Sequence, residues 1–207
     1  MTIKDRKARQ KQLLRQEILD AARDIFVKEG YDRLSMRRVA DKIEYSPTAI
    51  YLHFKDKQEL IFSLCEETFS KLVRELESLE TGKDPVARLK LGLRRYVDFG
   101  LKNPQHYLAT FMMPHADEDD PKMAERHKDE SSNGMRALGI LRAQVEACVA
   151  AKKLRRVNVD TATRSLWSAA HGITSLLIAF PAFPWGDREA VVGTLIDAAV
   201  DGLRSGR

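Results

Sequence analysis

The stretch SMRRVADKIEYSPTAIYLHFKDKQEL, residues 35–60, carries the signals of two short helices, a tight turn and the start of a third helix. Ser35, Ser46 and Asp56 can each cap a helix N-terminus, because their side-chain oxygens accept from free amides of the next turn. Pro47 occupies the first position of the second helix, where its missing amide proton costs nothing. Apolar residues at helical spacing define the buried sides: Met36, Val39, Ala40 and Ile43, then Ile50 and Phe54. Helices this short are stable only when packed against each other and a support.

The outward residues of this stretch are basic, hydroxylic or aromatic, apart from Asp41 and Glu44. They are Arg37, Arg38, Lys42, Thr48, Tyr51, His53, Lys55 and Lys57. This chemistry is typical of a helix-turn-helix at about residues 35–54, whose second helix enters the DNA major groove. The alternative interpretation is an ordinary helical hairpin with a solvated basic face.

Residues 18–60 resemble the N-terminal domain of the tetracycline-repressor (TetR) family of bacterial transcription regulators. The matching pieces, at the family's spacing, are ILDAA (18–22), Phe26, GY (30–31), LSMRRVA (34–40), SPTAIYLHF (46–54) and KQEL (57–60). One departure is Glu44, which stands in the turn where the family often has glycine. If Glu44 takes a positive φ, the strain is on the order of 1 kcal/mol.

The resemblance implies a set of DNA-contacting residues. Ser35 and Arg37 are expected to hold the DNA backbone on one side of the groove. On the other side, the residues expected to contact phosphates are Ser46, Tyr51, His53, Lys55 and Lys57. Pro47, Thr48 and Ala49, at the tip of the second helix, are expected to meet base edges and thymine methyl groups.

The composition favours an all-helical protein. The chain has 207 residues, 43% of them hydrophobic, with only seven prolines and eleven glycines. Cys65 and Cys148 lie in separate helical patterns, so buried reduced thiols are expected, with no metal pair and no disulfide framework. No apolar run is long enough to span a bilayer, and the N-terminus lacks the apolar core of a signal peptide. A soluble cytoplasmic protein is therefore predicted.

The excess positive charge lies at the N-terminus. Residues 1–16 contain Lys4, Arg6, Lys7, Arg9, Lys11 and Arg15 against Asp5 alone, a net charge of +5 that equals the net charge of the whole chain. We expect residues 1–10 to form a basic arm, disordered when free, that follows phosphates or enters the minor groove. The alternative is a solvated tail without a partner.

The rest of the chain reads as a succession of helices, nine in all, in an all-α fold. The first is predicted from Arg9 to Glu29, and the one that begins at Lys57 is predicted to reach Leu79 and to act as a lever between domains. Later helices are predicted over 84–101 and from Pro104 onward, and a long one over 121–151 with a possible interruption at 133–134. The last two are predicted from a cap at Asn158 or Asp160 to about Phe180, and over 187–203. We divide the chain into a basic arm (1–10), a DNA-binding domain (11–56), a connecting helix (57–80) and a ligand-binding and dimerisation domain (81–207).

The last two helices are apolar nearly all the way round. Their small and apolar residues are Ala169, Gly172, Leu176 and Ala179, then Val191, Leu195, Ala198, Ala199 and Gly202. Such helices are either core helices or are buried against a second copy of the chain. The TetR resemblance implies a homodimer through these helices, with two reading heads on a palindromic operator.

The second domain is rich in aromatic and sulfur side chains. The candidates for lining a ligand pocket are Tyr96, Phe99, His106, Tyr107, Phe111, Met112, Trp167 and His171, with Met113 and Phe180 nearby in sequence. Residues 166–172 resemble a Trp-x-x-x-His-Gly signature in the C-terminal domain of one TetR subgroup. The alternative is a plain hydrophobic core with satisfied histidines.

Taken together, these patterns predict a dimeric transcriptional regulator, a repressor that an unidentified small molecule releases from its operator, without a cofactor. The sequence has no His-Glu-x-x-His motif, no glycine-rich phosphate loop and no nucleophile elbow. His115 and Asp117 are two potential metal ligands, too few to predict a site. The alternatives are a non-specific architectural DNA-binding protein and a small helical enzyme.

Overall fold

The computed structural model describes residues 2–79, 84–112, 129 and 131–204. Within these ranges the chain forms nine α-helices and no strand, which confirms the all-α prediction. The helices are α1 (Ile3–Glu29), α2 (Met36–Lys42), α3 (Pro47–Tyr51), α4 (Lys57–Glu77), α5 (Pro85–Lys102), α6 (Pro104–Tyr107), α7 (Asn133–Ala150), α8 (Val159–Ala179) and α9 (Arg188–Asp201). A 3₁₀ turn, Tyr31–Arg33, follows α1, and a π-helical turn, Leu108–Met112, continues α6.

The chain divides into two compact units. The first comprises Met1–Thr68 and Gln105–Ala124, and the second comprises Phe69–Pro104 and Glu125–Arg207. Helix α4 therefore contributes its N-terminal part to the first unit and its C-terminal part to the second.

The core of the first unit is built by α1, α2, α3 and the beginning of α4. The predicted caps are present, since Ser35 Oγ accepts from the amide of Arg38 at 3.2 Å and Ser46 Oγ accepts from the amide of Ala49 at 3.3 Å. The largest fully buried side chains of the first unit are Tyr107, Phe26, Phe54, Ile18, Leu19, Leu34, Ile50, Leu60 and Leu64. Because the apolar faces of the two short helices meet α1, their remaining faces are left to solvent.

Helix α1 begins earlier than predicted. The start near Arg9 is wrong: the helix begins at Ile3, so the arm expected to be disordered is helical. Thr2 and Asp5 form a capping box, with Thr2 N donating to Asp5 Oδ2 at 2.8 Å and Asp5 N donating to Thr2 Oγ1 at 3.2 Å. These turns are solvent-exposed, so no apolar periodicity could reveal them.

The turn between α2 and α3 is strained as anticipated. Glu44 has a φ of 59°, in the left-handed region that glycine tolerates better than any other residue. Gly30 ends α1 with a φ of 86°, in agreement with its predicted position just beyond the helix.

In the second unit α5 lies at the centre and packs against α7, α8 and α9. The core residues from these helices are Leu89, Leu93, Val97, Val145, Cys148, Leu166, Ile173, Leu177, Val192, Ile196 and Val200. The described part of the predicted 121–151 helix begins at Asn133, where Ser132 Oγ accepts from the amide of Met135 at 3.2 Å. Residues 121–128 lie outside the described residues, as do residues 81–83, between the helix predicted to reach Leu79 and the one predicted over 84–101.

Candidate DNA interface and ligand cavity

The start of α3 is exposed at the surface of the first unit. Ile50 and Phe54 are 0% and 1% exposed and anchor α3 to the core. Because these anchors occupy the inner face, the side chains of Ser46, Pro47 and Thr48 are directed to solvent, and Ala49 is half-buried. The polar and methyl-bearing groups predicted to read bases are thus accessible.

Helix α2 is fixed to α1 by two of the basic residues on its outward face. The guanidinium of Arg38 donates to Glu29 at 2.7 and 3.0 Å and to the carbonyl of Arg33 at 3.1 Å. The Arg38 side chain holds the pKa of Glu29 below its ordinary value. Lys42 pairs with Asp24 at 2.6 Å. Both cations therefore stabilise the fold of the first unit.

Arg37 and Lys55 are different from Arg38 and Lys42. Their side chains are exposed and form no ion pair with any residue in the described ranges. Tyr51 is 55% exposed and lies on the same α2–α3 segment. These three residues can meet a phosphate without breaking an internal contact.

Lys57, the first residue of α4, is held by Tyr31. Its Nζ donates to the Tyr31 carbonyl at 2.6 Å and lies 3.4 Å from the centroid of the Tyr31 ring. A phosphate contact by Lys57 would share or replace these interactions.

His53 is half-buried, and its Nδ1 is buried without a hydrogen-bond partner in the described part of the chain. Burial lowers the pKa of His53, and the nearby charges of Lys11 and Arg15 lower that pKa further. A phosphate next to His53 would oppose these effects, because a nearby negative charge raises the pKa of an imidazole.

The basic residues of the α1 N-terminus are carried on a helix. Lys4, Arg6, Lys7, Arg9 and Lys11 are exposed. Arg15 is engaged within the unit: its guanidinium lies 4.8 Å from the centroid of the Phe54 ring and donates to Ser63 Oγ at 3.1 Å. Lys4, Lys7 and Lys11 share one face of the helix, because they are three and four residues apart, whereas Arg6 and Arg9 lie on another face. Cations at helical spacing can contact a phosphate backbone.

The second unit contains a cavity with about 530 Å³ of space not filled by atoms, part of it open to solvent. Its lining comes from α4, α5, α7 and α8. The lining residues are Phe69, Leu72, Leu76, Gly92, Leu93, Tyr96, Gly134, Ala137, Leu138, Ile140, Leu141, Gln144, Trp167 and Ala170. Two of the predicted pocket residues, Tyr96 and Trp167, are among them.

A chain of hydrogen bonds starts at the cavity. Trp167 Nε1 donates to Tyr96 Oη at 3.2 Å, and Tyr96 Oη lies 3.2 Å from His171 Nδ1. His171 Nε2 lies 3.3 Å from Ser175 Oγ. Burial lowers the pKa of His171 and so favours its neutral ring, in which one nitrogen donates and the other accepts. Both ring nitrogens of His171 thus have a hydroxyl partner, Tyr96 on one side and Ser175 on the other.

The remaining predicted pocket residues do not line this cavity. Phe99 belongs to the second unit and is 3% exposed. His106, Tyr107, Phe111 and Met112 belong to the first unit. There, His106 Nδ1 lies 3.3 Å from Thr68 Oγ1, and the Tyr107 and Phe111 rings are 4.8 Å apart. Met113, His115 and Asp117 lie outside the described residues.

Sequence reasoning missed Gln144 and the aliphatic part of the lining. Gln144 is 5% exposed on α7, between apolar neighbours. The sequence could have indicated Gln144, because a polar residue on the apolar face of a helix needs a hydrogen-bonding partner when it is buried. The aliphatic residues carried no such signal, since a leucine at helical spacing reads the same in a core and in a cavity wall.

Apolar side chains are exposed along α8 and the segment that follows it. Leu176, Phe180 and Phe183 are 45%, 58% and 57% exposed. Gly172 on α8 and Gly193 on α9 have no atom within 4 Å of the position a Cβ would take. The small-residue faces predicted on the last two helices are therefore open in the single chain.

Two family models match the chain. Residues 18–64 match the N-terminal model of bacterial regulatory proteins of the tetR family. Residues 89–203 match the tetracyclin repressor-like C-terminal domain, and this match covers more than half of the chain. No helix in the described ranges is long and apolar enough to cross a membrane.

Individual relatives agree with these models. The HTH-type transcriptional repressor Rv1474c of Mycobacterium tuberculosis is 41% identical over 58 residues, which are 28% of this chain and 31% of that protein. The uncharacterized HTH-type transcriptional regulator YobS of Bacillus subtilis is 28% identical over 83% of this chain and 82% of its own length. A crystal structure of a bacterial regulatory protein in the tetR family from Rhodococcus RHA1 superposes with a TM-score of 0.75 at 17% identity, covering 93% of this chain and 98% of that chain.

Proposed function

Since this chain belongs to the tetR family of bacterial regulatory proteins, we propose that it is a homodimeric repressor which a small molecule releases from a palindromic operator. The family membership makes it a helix-turn-helix DNA-binding transcription regulator, in a family of regulators rather than enzymes. What we propose beyond family membership is that the protein represses transcription, that it forms a dimer through its last two helices, that a ligand releases it from DNA, and that the named residues make the contacts described below.

The exposed start of α3 is the observation that carries the DNA-binding part of the proposal. Pro47, Thr48 and Ala49 read base edges, while Ser35, Arg37, Ser46, Tyr51 and Lys55 hold phosphates. Lys57 joins them by releasing Tyr31, and His53 completes the set. The basic first turns of α1 add sequence-independent affinity along the backbone.

The open apolar faces of α8 and α9 support a homodimer. Leu176 is 45% exposed, and the small residues of both helices allow a second pair of helices to approach closely. Continuous apolar surface of this kind is costly to leave in water. Two copies joined here would hold two α3 helices against successive major grooves.

The cavity supports release by a ligand. Phe69, Leu72 and Leu76 belong to α4, the same helix that begins next to α3. A ligand that fits the cavity best with α4 displaced would favour the conformation whose two α3 helices no longer match the operator. The Trp-x-x-x-His-Gly subgroup is also proposed, on the contact between Trp167 and His171, whose ring centroids are 5.9 Å apart.

Selection of bound sites from random DNA with the purified full-length protein tests the proposal. We expect enrichment of an inverted repeat with half-sites separated by whole helical turns. Binding to all duplexes with equal affinity would instead indicate an architectural protein. Failure to bind any duplex at moderate salt would overturn the proposal.

A further inference from the structure

The cavity of the second unit contains one polar side chain without a partner. Gln144 lies on α7, is 5% exposed, and lines the cavity. Its carboxamide makes no hydrogen bond to any residue in the described part of the chain. The amide is therefore available for hydrogen bonds with a molecule that enters the cavity.

The other polar groups at the cavity are already used. Trp167 Nε1–H is donated to Tyr96 Oη, and Tyr96 Oη is also hydrogen-bonded to His171 Nδ1. Gln144 is therefore the side chain with both a free donor and a free acceptor for a ligand.

Gly92 on α5 leaves the room that the Gln144 carboxamide occupies. A Cβ at position 92 would lie 2.5 Å from Gln144 Oε1 and 3.1 Å from Nε2. Contacts this short do not occur, so any side chain at position 92 would displace the carboxamide.

The lining contains no charged side chain among the described residues: it is aliphatic, aromatic or glycine, apart from Gln144 and the Tyr96 and Trp167 polar atoms. A carboxylate or ammonium group inside the cavity would lose its hydration without gaining a counter-charge. The cavity therefore discriminates against charged groups.

We propose that the cavity takes a neutral, mainly apolar molecule with one amide group, and that Gln144 determines this specificity by pairing with that amide. The carbonyl and N–H edges of Gln144 meet the complementary edges of the ligand amide in two parallel hydrogen bonds. This inference rests on the proposed function only in treating the cavity as the effector site.

Isothermal titration calorimetry of the full chain with octanamide, octanoate and octylammonium tests the proposal. The three molecules share an eight-carbon chain, so the head group is the variable. We expect octanamide to bind at least about tenfold more tightly than either charged molecule. Equal or tighter binding of octanoate or octylammonium would overturn the proposal, as would the absence of binding by all three.

Two variants assign the effect to Gln144. Q144L keeps the volume of the side chain and should weaken octanamide binding by about fivefold to tenfold. G92A should weaken it as well, by displacing the carboxamide, whereas G139A is the control on α7, because no atom lies within 4 Å of a Cβ there. Unchanged octanamide affinity in folded Q144L would exclude Gln144. If Q144L does not fold, the role of Gln144 is tested by comparing the octanamide affinities of G92A and G139A, together with the affinities of the wild-type protein for the three head groups.

Operator binding separates this inference from the proposed function. Octanamide is added to the wild-type protein on its selected DNA site. If octanamide binds with the expected preference but leaves DNA affinity unchanged, the proposed ligand class is supported, whereas the proposal that a ligand releases the protein from DNA is contradicted. If octanoate both binds better and releases DNA, ligand release stands and the ligand class is wrong.

Discussion

At the start of α3, Ser46, Pro47 and Thr48 are exposed, and exposed cations such as Arg37 and Lys55 belong to the same unit. The cavity of the second unit is instead lined mainly by apolar groups, with no charged side chain among the described residues. Water screens the charges of the first region, so they act through number and spacing along a polyanion. In the cavity we expect a single unpaired amide to decide between ligands, because the lining offers no counter-charge to a charged group. One chain thus presents a surface for a charged polymer and a cavity for a neutral molecule.

The two regions also differ in how ion pairs are used. In the first unit Arg38 pairs with Glu29 and Lys42 pairs with Asp24, and both pairs join α2, which carries some of the proposed DNA contacts, to α1. In the second unit Arg94 pairs with Glu189, and Lys90 pairs with Asp197 at 2.8 Å, away from the cavity lining. Charge therefore sets geometry in the first unit and stays outside the binding space in the second.

The largest effect is expected from a substitution that prevents dimer formation without changing the residues proposed to contact DNA. Replacing Leu176 by Arg puts a charge on the open face of α8, where the leucine is 45% exposed in the single chain. We expect a folded monomer whose operator affinity is reduced on the order of 100-fold, because two linked reading heads gain affinity that one head lacks. Light scattering measures the mass and a gel-shift titration measures the affinity.

Leu91→Arg is the matched control, since Leu91 is 43% exposed but lies on α5. That variant should remain dimeric and keep its operator affinity. A dimeric Leu176→Arg protein would move the interface away from α8.

The next largest effect is expected from a substitution at Thr48, which tests whether α3 contacts the bases of the operator. Thr48→Val keeps the shape and the methyl group but removes the hydroxyl. We expect a changed preference at one or two base pairs, of roughly 1–3 kcal/mol each, measured by site selection with the variant. A uniform loss over all sequences would make Thr48 a residue that only positions the backbone.

A smaller effect would compare two lysines of the same segment. Lys55→Met and Lys57→Met should each reduce the slope of log affinity against log salt by about 0.9 per protomer contact. Lys57→Met should also lower the free energy of unfolding by about 1–2 kcal/mol, because it loses the Tyr31 carbonyl and ring contacts. Lys55 is exposed and should leave that energy unchanged. A normal salt slope for Lys57→Met would remove Lys57 from the DNA contacts.

The smallest effect concerns the half-buried imidazoles of His53 and His171. Burial lowers the folded-state pKa of both His53 and His171 below the ordinary value of 6.5. Below pH 6.5 the unfolded chain binds protons that the folded chain does not, so stability falls with pH until the lowered folded pKa values are passed. The midpoint temperature of thermal unfolding, measured from pH 7.5 to pH 5, should therefore decrease as the pH is lowered. His171→Asn should reduce the fall, and an equal slope in that variant would exclude His171 as a source.

Local sequence signals gave the DNA-facing part of the fold. Ser35, Ser46 and Pro47 are helix starts that depend on the residues beside them, and the structure has helices beginning there. Exposed helical turns are harder to see: α1 extends to Ile3 through polar residues, and only Thr2 and Asp5 mark its start. The roles of Arg38 and Lys57 were hidden too, because their partners Glu29 and Tyr31 are brought near by folding.

The sequence by itself determined the helices, their caps, the charge at the N-terminus and the apolar character of α8 and α9, since each of these depends on neighbours within a few residues. Tertiary structure alone decided which cations stay free and which aromatic residues meet. It brought Tyr96, Trp167 and Gln144 to one cavity and left His106 and Tyr107 in the other unit. Cavities arise where helices distant in sequence fail to fill the space between them, and no local pattern records that volume.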